Sequence, residues 1–312
     1  MMTNYQAIII GIIQGLTEFL PVSSTAHIRV IPALLGWNDP GAAFTAVIQT
    51  GTLVAALIYF REDIWHITVG TLRGLRDGKP FGTLEARLGW MIAVGTVPVV
   101  VFGLLFKKRI EEDWRSLFVI SAAVAIPALV LAMAEWLVHR RTVSGAKQKE
   151  MADIGWIDAI VVGFAQAVAL IPGASRSGVT ITGGLFVGMN RPTAARYSFL
   201  LSLPAVFGAA VKELYDERHV LLGTQESMIN LVLATVIAGV IGYASIAFLL
   251  RYLKTHTTWV FIVYRLVLAA VLLALLLTKV IPAMPAEKEE REARHGPPGA
   301  VEGITARESS PF

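Results

Sequence analysis

The sequence predicts an all-α polytopic membrane protein made of two inverted-topology repeats, each a re-entrant helix hairpin followed by three transmembrane helices. Three observations predict it. Of 312 residues, 55% are hydrophobic and 16% charged, whereas soluble domains have roughly 45–50% and 25%. Apolar runs that reach or approach the ~20 residues needed to cross a bilayer recur along the chain. Two further apolar stretches are interrupted by polar residues, stop at a proline, and match one another.

Composition also excludes several function classes. With no cysteine, there is no disulfide framework, thiolate metal site or cysteine nucleophile. The formal net charge is +4, but the basic residues sit in short clusters between apolar runs. A nucleic-acid binder gathers them on one face; loops between membrane spans carry them in this scattered way.

The first apolar stretch is Tyr5–Leu20, broken by Gln14 and Glu18 and stopped by Pro21. As a signal peptide it lacks a basic start and carries a glutamate within the apolar run. A Ser/Thr-rich elbow follows, then a short helix over Ile28–Leu35. Spans are predicted at Ala42–Phe60, Ala86–Phe106 and Leu117–Val138. The second interrupted stretch, Trp156–Ile171, contains Gln166 and stops at Pro172-Gly173. Its elbow leads into a short helix over Val179–Val187 and spans at Ser198–Val211, Met228–Leu250 and Trp259–Ile281, the first of them short. Residues 1–282 thus form one membrane domain, with repeats at about 5–138 and 156–282. The Glu-, Arg-, Gly- and Pro-rich segment 283–312 has no apolar period and reads as a disordered charged tail.

Gly11 and Gln14 through Pro21-Val22-Ser23-Ser24 align with Gly163 and Gln166 through Pro172-Gly173-Ala174-Ser175, given one residue of slip. Three spans after each elbow is an odd number, so the second half enters the membrane upside down relative to the first. The loops near 61–85, 139–155, 190–197 and 251–258 carry more Lys and Arg than those on the other side. They are assigned to the cytoplasm.

An ionisable group within a bilayer costs roughly 2.5–3.5 kcal/mol on insertion scales. Glu18, His27 and Arg176 are therefore read as functional. Gln14 and Glu18 are four apart and share a helix face. The first elbow supplies Ser23, Ser24, Thr25 and His27; the second supplies Gly173, Ala174, Ser175, Arg176, Ser177 and Thr180. A guanidinium, hydroxyls and the amides of a helix start together suit a phosphate. The bland alternatives are elbows that only cap helices and a Glu18–Arg176 pair without chemistry. Convergence of an acidic elbow with a basic one argues against both. Glu85 with Arg87 and Glu135 with His139 read as interfacial charges, and Arg265 as either snorkelling or internally paired. The function readings are a membrane phosphatase and, from another class, a secondary transporter or lipid flippase built on the same architecture. A membrane scaffold fits poorly with a buried Glu, His and Arg.

Gln14-Gly-Leu-Thr-Glu18-Phe-Leu-Pro-Val-Ser-Ser-Thr-Ala-His27 and Pro172-Gly-Ala-Ser-Arg-Ser-Gly-Val-Thr180 resemble the two signatures of the undecaprenyl-diphosphate phosphatase family, the bacitracin-resistance type. The segment from Arg191 to Pro204 is also similar, and the resemblance spans about residues 5–282. It implies a bacterial inner-membrane enzyme that hydrolyses undecaprenyl diphosphate to the monophosphate and phosphate, recycling the lipid carrier for cell-wall synthesis. It further implies dependence on a divalent cation such as Mg or Ca, a homodimer, and a site open to the outer face. Its acidic motif matches Gln14 and Glu18, its hydroxyl and His positions match Ser24 and His27, and its arginine matches Arg176. The sequence departs from the pattern at Ala26, where glycine is usual, and at Arg29, where an apolar residue is common. Gln14 is the uncharged option at its position, which weakens any scheme needing two carboxylates.

In the mechanism these residues imply, Arg176, Ser175, Ser177, Thr180 and the 173–177 amides hold the phosphates, with Ser23 and Thr25 opposite. Glu18 and Gln14 offer oxygen ligands to a hard cation. His27 is the intrinsic acid–base candidate. The nucleophile is Ser24, activated by His27 or Glu18, or else a metal-bound water.

Overall fold

The computed structural model describes residues 2–38, 40–111, 114, 116–216 and 225–281. The charged tail expected to be disordered lies outside them. Among the described residues the regular elements are helices: α1 Asn4–Phe19, α2 Ser24–Leu34, α3 Ala42–Tyr59, α4 Arg61–Arg76, α5 Leu84–Leu105, α6 Lys107–Glu111, α7 Leu117–Val143, α8 Trp156–Val168, α9 Arg176–Phe186, α10 Arg191–Asp216, α11 Gln225–Tyr252 and α12 Trp259–Leu277. A short 3-10 turn at Met151–Asp153 precedes α8. The Glu150 N–H and the Lys147 ammonium hold the Asp153 carboxyl below its ordinary pKa there.

Five of these helices are long and apolar enough to cross a membrane, and a sixth span results if α3 and α4 count as one. That pair bends by 70° between Tyr59 and Arg61. The basic segment after Phe60, expected as loop, is helical because its charges occupy suitable ends: Glu62 and Asp63 in the first turn, Arg73 and Arg76 in the last. The short expected span at Ser198–Val211 is the middle of the 26-residue α10.

The exterior is apolar in stripes at helical spacing, with Val232, Val236 and Val240 on α11 and Val260, Val263, Val267 and Val271 on α12 all exposed. In water such patches are aggregation sites; in a bilayer they are the solvent contact. The chain is an integral membrane protein.

Inside, α1 packs mainly on α11, α8 on α5, α3 on α11, α12 on α7 and α9 on α10. Glycine permits the tightest of these approaches. A Cβ on Gly11 would lie 2.6 Å from the Ala234 carbonyl oxygen, and one on Gly163 would lie 2.4 Å from that of Gly95. Packing in lipid rests on such small-residue contact, since there is no hydrophobic drive between helices.

One charge read as interfacial is interior. Glu135 is 1% exposed. It accepts from Arg191 and, at 2.8 Å, from the Thr258 hydroxyl, tying α7 to α10 and the start of α12. Its position near a predicted span end concealed this, because both partners are remote in sequence. Arg141 donates at 2.7 and 2.8 Å to the Leu185 and Phe186 carbonyls, capping the C-terminus of α9.

Candidate active site

Both interrupted stretches are helices broken at the expected points. After α1 the chain turns at Leu20–Ser23, and after α8 at Ala169–Ser175. Ser23 has φ 75°, ψ 99°, and Ser175 has φ 67°, ψ 106°. Left-handed backbone costs an L-residue roughly 1–2 kcal/mol, so two non-glycine residues held there mark strained, specified turns. Each serine also caps the next helix: Ser23 Oγ accepts from the Ala26 N–H at 3.4 Å, and Ser175 Oγ from the Gly178 N–H at 3.2 Å. The caps correct the alignment. Ser23 and Ser175 are equivalent, and the same interval separates Gln14 from Gln166 and Gly11 from Gly163, so no slip is needed. Pro21 then stands opposite Gly173.

Helices α2 and α9 therefore begin at Ser24 and Arg176. Glu18, at the end of α1, joins them. One carboxylate oxygen, Oε2, accepts from Ser24 Oγ at 2.8 Å and Gln14 Nε2 at 3.0 Å. The other, Oε1, accepts from Arg176 Nη2 at 2.6 Å and Gln49 Nε2 at 3.0 Å. Glu18 is 8% exposed. Its charge is neutralised by one guanidinium and distributed over three further donors, which is how a buried carboxylate is tolerated. Only one of the five Arg176 N–H groups is used in this pair.

A cavity of about 220 Å³ opens beside this cluster. Its wall includes Glu18, Ser23, Ser24, Thr25, Gly173, Ser175 and Arg176, all singled out from the sequence. A larger vestibule of about 620 Å³ shares Thr25, Gln49, Ala169 and Leu170 with it and carries Arg29, Lys107 and Lys212 on its wall.

Other sequence candidates stand elsewhere. The His27 ring is not on the cavity wall. Its Nδ1 lies 2.7 Å from the Ser23 carbonyl oxygen and its Nε2 2.5 Å from the Tyr264 hydroxyl. A carbonyl only accepts, so Nδ1 carries the hydrogen, and Nε2 of the neutral ring accepts from Tyr264. Ser24 therefore meets Glu18 and not His27. Ser177 Oγ donates to the Leu20 carbonyl at 3.1 Å, stapling one break to the other. Thr180 Oγ1 donates to the Arg176 carbonyl at 2.6 Å and contacts Ser198. The Ala174 carbonyl accepts from Arg265 at 2.9 Å. These groups are spent on holding the second break in place.

The metal set expected from Glu18 and Gln14 does not fit. Both Glu18 oxygens already carry two donors, one of them cationic. Gln14 Oε1 is buried without a partner but is a single neutral oxygen. No group of three or more His, Cys, Asp or Glu side chains able to hold a metal ion occurs among the described residues. A hard dication needs several oxygens at once.

Gln49 was missed although it is a polar residue inside a predicted span, the same signal that marked Glu18. Arg265, left between two readings, is fully buried and donates to the Val124, Ala123 and Ala174 carbonyls at 3.0, 3.1 and 2.9 Å. Pro127 explains part of this, since without an N–H it leaves the Ala123 carbonyl unpaired within α7. Arg265 thereby clamps the second break to α7. Gln166 also lines the cavity.

The family profile described as bacitracin resistance protein BacA matches residues 7–271. The chain is 59% identical over 275 residues to an undecaprenyl-diphosphatase of Chlorobium phaeobacteroides, covering 88% of this chain and 98% of that protein. It is 56% identical over 277 residues to the undecaprenyl-diphosphatase of Prosthecochloris aestuarii, covering 89% and 98%. It is 59% identical over 271 residues to that of Chloroherpeton thalassium, covering 87% and 96%. Matched over most of its length by the profile and by these relatives, the chain belongs to the BacA family.

Proposed function

We propose that this chain is an integral-membrane phosphatase that hydrolyses undecaprenyl diphosphate to undecaprenyl phosphate and inorganic phosphate. The activity recycles the lipid carrier for cell-wall synthesis and confers bacitracin resistance. The relatives named undecaprenyl-diphosphatase support the substrate. The observation that carries the chemistry is the Glu18 carboxylate, which holds the Ser24 hydroxyl and the Arg176 guanidinium at one cavity.

Phosphoryl transfer needs positioning and charge stabilisation above all. The four N–H groups of Arg176 not engaged with Glu18, together with the starts of α2 and α9, bind the terminal phosphoryl group. Ser24 Oγ attacks its phosphorus while Glu18 takes the hydroxyl proton. The bond to the bridging oxygen breaks, and undecaprenyl phosphate leaves as an anion that needs no protonation. Water then attacks the phosphoserine, the P–Oγ bond breaks, and Glu18 returns its proton to Ser24. No step is routed through a metal held by Glu18 and Gln14.

The architecture accompanying this reading is a pair of inverted repeats, about 5–138 and 156–282, whose broken helices are re-entrant. The matching caps at Ser23 and Ser175 and the matching glycine contacts at Gly11 and Gly163 support it. The protein sits in a bacterial inner membrane as a homodimer with its cavity open to the outer face; for these three points the support is the resemblance, with loop charge for orientation.

Purified protein in detergent, given undecaprenyl diphosphate and no gradient, is expected to release phosphate. A transporter or flippase without hydrolytic chemistry releases none, and that outcome overturns the proposal.

A further inference from the structure

We propose that Gln166 holds the hydrolytic water against the phosphoryl group. The proposal rests on the phosphatase reading and deepens it. Gln166 is 1% exposed and sits on α8 at the cavity wall. Neither end of its amide has a hydrogen-bond partner. An amide so placed leaves a donor and an acceptor unpaired away from water, which is costly, and such groups in a native protein call for an explanation.

Its counterpart shows what is missing. Gln14 gives its Nε2 to Glu18 four residues on. The residue four after Gln166 is Leu170, so α8 offers no acceptor and the amide stays unpaired beside the cavity. The partly buried Ser24, Gln49 and Arg176 each donate to Glu18, Ser175 caps α9, and Gln14 leaves only its Oε1 unpaired.

The chemistry selects the ligand. The single phosphate oxygen that comes from water requires a group that accepts a hydrogen from that water as it attacks. The phosphoryl group beside it requires a donor. An amide supplies Oε1 and Nε2 for these two tasks and, being neutral, does not repel a diphosphate. It is no base, so it orients and takes no proton. In the hydrolytic step the water oxygen bonds phosphorus, the P–Oγ bond to Ser24 breaks, Glu18 protonates Ser24, and both water hydrogens leave with the phosphate.

The test uses full-length purified protein and undecaprenyl diphosphate in detergent, with Gln166→Met and Gln166→Glu. Gln166 makes no hydrogen bond within the protein, so Gln166→Met is expected to keep or raise Tm. Its kcat is expected to fall about 10²-fold with KM within about threefold of wild type. Gln166→Glu has a donor and an acceptor when protonated and only a negative acceptor when ionised. Its activity is expected to recover as pH falls and to vanish as pH rises, along a limb that wild type lacks. Wild-type kcat in Gln166→Met overturns the proposal, as does a loss of activity that tracks a loss of Tm. A wild-type protein releasing no phosphate fails the phosphatase reading itself, which separates the two failures.

Discussion

The break after α1 and the break after α8 have nearly the same backbone and carry opposite chemistry. Each turns through a left-handed serine that caps the helix after it. Each is preceded by a glutamine and, three residues earlier, by a glycine pressed against a carbonyl of a neighbouring helix. At the first break the residue four after the glutamine is Glu18 and the residue after the cap is Ser24. At the second they are Leu170 and Arg176. Shared backbone brings two helix starts to one place, and the differing side chains make one side an acceptor and nucleophile, the other a donor. Two acidic breaks would repel a diphosphate; two basic ones would leave no group to take a proton.

Replacing each residue by its counterpart tests this division most severely. Glu18→Leu and Arg176→Ser are each expected to lower kcat/KM by at least about 10³-fold, the scale on which an arginine at a transferring phosphoryl group acts. Both remove one shared ion pair, so the double variant is expected to lose little more than either single one. Additive losses, measured by phosphate release, would show that the two breaks work independently.

Two serines, one at each break, separate catalysis from architecture. Ser24→Ala is expected to keep its Tm and lose at least about 10²-fold in kcat. Ser175→Ala loses a helix cap worth about 1 kcal/mol; it is expected to lower Tm while keeping kcat within about tenfold. The reverse pattern would move the nucleophile to the other break. Gly11→Ala and Gly163→Ala are expected to destabilise the protein by similar amounts, about 1–3 kcal/mol each by thermal shift in detergent. Each forces a methyl group within 2.6 Å or less of a carbonyl oxygen. A large loss in only one of them would break the equivalence of the two packings.

The parts of the site legible in the sequence were those whose cost shows in a single residue. A glutamate, a histidine and an arginine in apolar surroundings must account for their presence, and the prolines and serines mark where the helices stop. What could not be read was which polar group meets which. Tyr264 and His27 are separated by most of the chain, and Arg265 answers a carbonyl left unpaired by Pro127 on another helix. The one-residue slip had the same origin: proline position suggested it, but the left-handed caps, which sequence does not display, fix the register. For Glu135 the nearest charge in sequence, His139, was the wrong partner. Its partners are Arg191 and Thr258, and only packing brings them together.

His27 has no counterpart at the second break, where Val179 stands, so it tests whether the first break needs a further proton carrier. The geometry assigns it a supporting part: Nδ1–H fixes the Ser23 carbonyl, and Nε2 accepts from Tyr264. Both contacts hold the strained turn that presents Ser24 to Glu18. Tyr264→Phe removes only the second contact and leaves the two rings nearly parallel, with 5.6 Å between centroids. It is expected to cost about 1 kcal/mol of stability and to leave kcat within about threefold, with its pH dependence unmoved. If His27 instead shuttled the proton of Ser24 through Tyr264, the same variant would lower kcat by 10²-fold or more and shift the pH profile. A pH–rate comparison of Tyr264→Phe with wild type decides between a ring that braces the turn and one that carries the proton.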